Sequence, residues 1–168
     1  GLGRAMAILF ARLGARIHIC GRDQAKLDNA QAAFAEHGYE IATTSMTIRE
    51  SEAVDGFMDD VFAKEGRLDV LINNAGGQFP LAANKLSPNG WRAVIDTNLK
   101  GVWRCMKYEL PDMAEAGVII NMSSIAGLGA NEMMGSAYTA SKHGIIGMTK
   151  TAAREYAAVG IRINAICP

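Results

Sequence analysis

Short apolar runs alternate with longer amphipathic stretches along the whole chain. Ala15 to Cys20, Tyr39 to about Thr44, Leu68 to Ile72, Gly117 to Met122 and Ile161 to Ile166 read as short apolar strands. Between them, Asp23 to about His37 reads as a helix with Asp23 as its cap. Glu50 to about Lys64 is amphipathic, with Val54, Phe57, Met58 and Val61 at helical spacing as core positions. Ser87-Pro88 opens a helix by cap and proline-first logic, and that helix is expected to run toward Leu110. A long helix is expected from Ser136 to about Val159, with loops at Gln78–Leu86 and Ala126–Gly135. Repeated βα units on short links predict an α/β fold: a parallel sheet with helices on both faces. No linker, internal repeat or low-complexity segment divides the chain, so residues 1–168 are read as a single domain.

Composition narrows the function classes. A chain of 168 residues is long enough for a real core, and 49% of it is hydrophobic. It is formally neutral, which favours neither nucleic acid nor an anionic membrane as partner. Cys20, Cys105 and Cys167 lie far apart and show no metal-ligand spacing. They read as small reduced thiols, which suits the cytoplasm and no metal. No apolar run reaches membrane-spanning length, and no signal peptide is visible.

Candidate chemistry sits at Tyr138-Thr139-Ala140-Ser141-Lys142, preceded by Ser123-Ser124. Tyr138 and Lys142, four apart, fall on one face of a helix. An ammonium beside a phenol favours the phenolate, so the pair suits proton exchange with an alcohol or carbonyl. Ser124 adds a hydroxyl for the same oxygen or for a substrate carbonyl. At the start of the chain, Gly1-Leu2-Gly3 reads as a glycine turn entering a helix that ends near Gly14. Such a turn lets backbone approach a diphosphate and presents free N–H groups to it. Asn73-Asn74-Ala75-Gly76 ends a buried strand, and Asn98 falls inside a helical stretch.

Together these motifs resemble the classical short-chain dehydrogenase/reductase family, over nearly every residue from Gly1 to Pro168. The resemblance implies a Rossmann-like doubly wound parallel sheet and an NAD(P)-dependent oxidoreductase. Such an enzyme moves a hydride between nicotinamide and a carbonyl or secondary alcohol. By that match Tyr138 is the general acid/base, and Lys142 holds the nicotinamide ribose and lowers the tyrosine pKa. Ser124 polarises the substrate oxygen, and Asn98 holds a water linking Lys142 to solvent. The chain carries one residue more between Ser124 and Tyr138 than the commonest family spacing, which lengthens the Gly127–Gly135 loop and leaves Ser123 as the other candidate serine. Ser124 is preferred because Ile125-Ala126-Gly127 follows it as in the family. Cofactor contacts are expected from Gly1, Leu2, Gly3, Arg22, Asn74, Ala75, Gly76, Tyr138, Lys142 and Pro168.

The expected acidic position for NAD is Gly21, and Arg22 follows it. A guanidinium matches the 2′-phosphate of NADP, so NADP(H) is favoured and NAD(H) is kept as possible. Ser45, Met46 and Thr47 stand where the family usually has an acid near the adenine. Gly76-Gly77-Gln78-Phe79-Pro80 and Leu86-Ser87-Pro88-Asn89-Gly90-Trp91 look like the branch with enoyl-CoA and dienoyl-CoA reductases, whereas intact Ser, Tyr and Lys suit an ordinary ketone or alcohol equally well. Fold alone would also permit a catalytically silent binding protein, against which stands the complete Asn, Ser, Tyr and Lys set. The partners implied are a small-molecule substrate and a second copy of the chain. A dimer or tetramer is expected through the Ser87–Leu110 and Ser136–Val159 helices, with Trp103, Met106, Tyr108, Ile145, Met148 and Ala152 divided between an inward and a partner-facing stripe. The family continues on both sides of Gly1 and Pro168, so the chain is read as an internal part of a longer enzyme. The strands ending at Cys20 and Ile72 are then expected to lack a neighbour. Taken alone, the chain is expected to be poorly folded and unable to bind NADPH.

Overall fold

A computed structural model describes residues 1–168 apart from Ala114, Asn131 and Glu132. Helices and strands alternate as the hydrophobic pattern predicts: α1 (Leu2–Arg12), β1 (Ile17–Gly21), α2 (Gln24–Ala35), β2 (Ile41–Ser45), α3 (Ser51–Glu65) and β3 (Val70–Asn73) come first. They are followed by α4 (Pro88–Ile95), a π-helical turn (Asp96–Lys100), α5 (Gly101–Glu109), β4 (Val118–Met122), α6 (Ser136–Glu155) and β5 (Arg162–Ile166).

Local chemistry sets several boundaries. The Asp23 carboxylate accepts a hydrogen bond from Lys26 N at 3.2 Å and starts α2. Ser87 Oγ accepts from Gly90 N at 3.1 Å, with Pro88 in the first helical position of α4. Gly66 ends α3 with φ of 71°, a left-handed conformation that a side chain would strain. The helix expected to run unbroken from Ser87 toward Leu110 is instead divided at Asp96–Lys100 by the π turn. The long helix ends at Glu155, and a 3₁₀ turn covers Ala157–Val159.

All strand pairs are parallel. β1 pairs with β2 (Ile17 with Ile41 through Gly21 with Ser45). β4 lies between β3 and β5, with Val118 level with Val70 and Arg162. The described strands thus form two sheets, ordered β1-β2 and β3-β4-β5. β1 and β3 each lie at a sheet edge, with one paired neighbour among the described strands. They line a cavity of about 1090 Å³, walled also by residues of α1, α3 and α5. Central burial follows the larger sheet, where Ile119 and Asn121 of β4 are completely enclosed.

One core cluster joins Met106, Leu110 and Met113 to Ile119, Ala152, Ile161 and Ile163. A second packs Val54 and Met58 of α3 on Cys105 of α5. Met106, Ile145 and Ala152 therefore face this chain's own interior. Of the six residues expected to divide between the two stripes, Trp103 is half-exposed, with the Lys107 ammonium 5.6 Å from its ring centre.

Candidate active site

Because the strands are parallel, their carboxyl ends gather on one edge, where α/β sheets bind ligands. A cleft of about 280 Å³ opens there, bordered by Leu2, Asn74, Gly76, Ser124, Tyr138, Lys142 and Pro168. Seven positions singled out from the sequence thus meet at one place. Gly77, Gln78, Met122 and Ser123 complete the wall.

Tyr138 and Lys142 lie in the first turns of α6, and the Lys142 ammonium is 5.5 Å from the Tyr138 ring centre. Lys142 is buried, and its Nζ donates to the Met122 carbonyl at 2.6 Å. Burial disfavours its charge and lowers its pKa from 10.5 to about 8, an effect that nearby Cys167 partly opposes. A lysine in this state holds its proton weakly enough to trade it near neutral pH.

The two adjacent serines part company. Ser123 is buried, and its Oγ donates to the Lys142 carbonyl at 2.9 Å. Ser124 is half-buried; its Oγ accepts from Ala126 N at 3.2 Å and makes a long 3.4 Å contact to the Pro168 carbonyl. The hydroxyl of Ser124 is therefore the freer of the two to meet a ligand.

Asn98 sits in the π turn, fully enclosed. Its Oδ1 accepts from Gly77 N at 2.9 Å, and its Nδ2 donates to Gly77 O at 2.8 Å and to Ser141 Oγ at 3.2 Å. Ser141 Oγ in turn donates to the Tyr138 carbonyl at 2.7 Å. A polar chain thus links the loop after β3 to the α6 turn that carries Tyr138. A Cβ added at Gly76 would lie 3.3 Å from Asn98 Oδ1 and 3.7 Å from Lys142 Nζ, so Gly76, Asn98 and Lys142 converge.

The glycine turn behaves as the sequence requires. A Cβ at Gly3 would sit 2.5 Å from Asn74 Nδ2, so α1 approaches the β3 loop closely only because Gly3 has no side chain. Among the described residues no side chain caps the α1 N-terminus, which leaves its N–H groups for an anion. Arg22 is exposed at the end of β1 and borders the larger cavity with Gly3, Asn74 and Ala75. Glycine backbone, a free helix terminus and a cation at the strand ends fit a dinucleotide. Met122, Gly77 and Ser141 were not singled out as site residues from the sequence, and Ser123 was kept there only as the alternative to Ser124. The doubled Ser123-Ser124 and Gly76-Gly77 pairs were the available signal. Among the described residues no group of His, Cys, Asp and Glu could hold a metal ion, and no helix is long and apolar enough to cross a membrane.

A family model described as short chain dehydrogenase matches residues 1–168. A probable 2,4-dienoyl-CoA reductase of Bacillus subtilis is 36% identical, covering 100% of this chain and 67% of that protein. A 3-oxoacyl-[acyl-carrier-protein] reductase FabG of Staphylococcus epidermidis is also 36% identical, with 100% and 70% covered. A 3beta-hydroxysteroid dehydrogenase of Mediterraneibacter gnavus is 37% identical, with 100% and 61% covered. Among solved structures, a short-chain oxidoreductase of metagenomic origin in complex with NADP superposes with a TM-score of 0.93 at 35% identity, covering 100% of this chain and 77% of that one. A putative short-chain dehydrogenase/reductase from Burkholderia xenovorans gives 0.94 at 31%, with 100% and 65% covered.

Proposed function

Since the chain belongs to the short-chain dehydrogenase family of NAD(P)-dependent oxidoreductases, we propose that it carries the cofactor-binding and catalytic portion of an enzyme interconverting a carbonyl and a secondary alcohol. The observation that carries this reading is the placement of Tyr138, a buried Lys142 and Ser124 around one cleft at the strand ends.

When bound, the nicotinamide supplies or accepts the hydride. Gly1, Leu2, Gly3, Asn74, Ala75, Gly76 and Pro168 would hold the dinucleotide along the strand ends. Tyr138 Oη gives its proton to the carbonyl oxygen as that oxygen gains charge, and takes it back in the oxidative direction. Lys142 would stabilise the phenolate left behind and would hold the ribose hydroxyls of the cofactor. Ser124 Oγ donates to the substrate oxygen and so fixes it beside Tyr138. Asn98 holds the Gly76–Gly77 loop against Lys142. Its side chain bonds Gly77 and Ser141, and the water linking Lys142 to solvent would be held at Asn98.

Arg22, exposed at the end of β1, supports NADP(H) over NAD(H), as does the NADP carried by a relative 35% identical. Substrate choice is supported by exposed apolar side chains in the segments that lead into α4 and α6. Phe79, Leu81, Leu128 and Met133 are all exposed. The Phe79 loop touches the start of α6 so closely that a Cβ at Gly135 would lie 2.3 Å from Phe79 O. Such a surface suits a carbonyl compound with an apolar body. A second reading, a dienoyl- or enoyl-thioester reductase, draws on the B. subtilis relative. We place the enzyme in the cytoplasm as a homo-oligomer in which residues 1–168 form one domain, with Trp103 on the partner-facing side. NADPH oxidation by the enzyme against matched panels of apolar ketones and dienoyl-CoA thioesters tests the reading. Turnover of ketones supports it, turnover confined to thioesters favours the second reading, and oxidation of neither contradicts both.

A further inference from the structure

We propose that Ser123 is a positioning residue for Lys142, forming with the Met122 carbonyl a two-point clamp at the end of β4; this rests on the role proposed above for Lys142 and Tyr138. Two consecutive residues grip the two ends of one lysine. Met122 O receives the ammonium at 2.6 Å. Ser123 Oγ donates to the Lys142 main-chain carbonyl at 2.9 Å. A carbonyl has two acceptor sites, so this bond adds to the ladder of α6 rather than competing with it.

The clamp is rigid on its sheet side. Ser123 N bonds both Asn121 O at 3.1 Å and Ile166 O at 2.8 Å, which fixes the serine to β4 and β5 together. Solvent is shut out of the contact: Ser123 is 5% exposed and Lys142 4%. Gly127 closes over it, and a Cβ there would lie 2.6 Å from Ser123 Oγ and 2.7 Å from Lys142 O. The sequence Met122-Ser123 thus sets the height of α6 against the sheet at the residue whose ammonium serves the reaction. Losing the hydroxyl leaves the ammonium tethered only at its tip. The helix can then shift and admit water. Displacements of about 1 Å at a reacting centre cost up to about 10²-fold in rate. The groups able to titrate beside Lys142 are Tyr138, on its own helix, and Cys167, after β5.

Ser123→Ala, Ser123→Thr and Tyr138→Phe are compared in the active enzyme, with kcat, KM and the pH profile of kcat recorded beside a thermal melt. Ser123→Ala should lower kcat roughly ten-fold with substrate KM within about two-fold. The alkaline limb of its profile should move to higher pH, because a wetter ammonium holds its proton longer. Ser123→Thr, which keeps the hydroxyl, should restore both. If Ser123→Ala does not fold, Gly127→Ala attacks the same contact from the other side and is read by the same profile. An unmoved alkaline limb, or a kcat within about two-fold of the parent, overturns the clamp. Should Tyr138→Phe be inactive in that case, the reading of the site stands and only the clamp falls. Should Tyr138→Phe keep full turnover, both fall.

Discussion

Asn98 and Gly77 exchange two hydrogen bonds, Gly77 N to Asn98 Oδ1 at 2.9 Å and Asn98 Nδ2 to Gly77 O at 2.8 Å. The side chain thereby imitates a strand partner for one residue of the loop after β3. The π turn that presents Asn98 lies 21 residues further along the chain. Wide turns of this kind recur at functional sites because the inserted residue redirects a side chain. Asn98→Ala would remove both of these partners from Gly77, whose exposed backbone can turn to water, and would empty the enclosed space that the Asn98 side chain fills. Chemical denaturation should show a loss of about 1–3 kcal/mol, together with weaker cofactor binding as the Gly76–Gly77 loop loosens. A variant as stable as the parent would show that the loop is held by other contacts.

Glu109 is fully enclosed on α5, and among the described residues neither carboxylate oxygen has a hydrogen-bond partner. Burial raises its pKa well above 4.5, so the folded state keeps a proton that the unfolded chain releases. Its contribution to stability is therefore most favourable below pH 4.5 and declines as pH rises toward the folded-state pKa. Glu109→Gln should flatten this part of the stability profile, and Glu109→Leu should raise the melting temperature at pH 7. Melts between pH 5 and 8 check both. A parent and a Glu109→Gln variant with parallel profiles would show that the carboxyl is already paired.

Arg22 carries the cofactor preference. Arg22→Ala should weaken NADPH binding by about 1.5–3 kcal/mol, the range for a bond to a charged group, and leave NADH nearly unchanged. Fluorescence titration of the enzyme with both cofactors reads the difference. Equal losses would make Arg22 a general surface cation.

Most of the layout was legible because it is written locally. Alternation of short apolar runs with helical periodicity located the strands and helices, and Asp23, Ser87 and Pro88 marked helix starts by their own bonding. Tyr138 and Lys142 were legible for the same reason, since four residues of helix fix their relation. Features made by distant contacts were not. The π turn depends on Gly77 meeting Asn98, and the inward orientation of Met106, Ile145 and Ala152 depends on which helix face meets β4 and β5. Ser123 is the alternative to Ser124 in the sequence, and its bond to the Lys142 carbonyl depends on where α6 packs. The enclosure of Glu109 on α5 is likewise made by distant contacts.

Turnover by Tyr138→Phe tests the central claim most directly. The substitution keeps the ring and removes the Oη proton donor at the cleft. The enzyme should lose at least about two decades in kcat, the scale of a general acid, while NADPH affinity stays within a few-fold of the parent. A kcat within a few-fold of the parent would contradict the account and remove Tyr138 from the reaction.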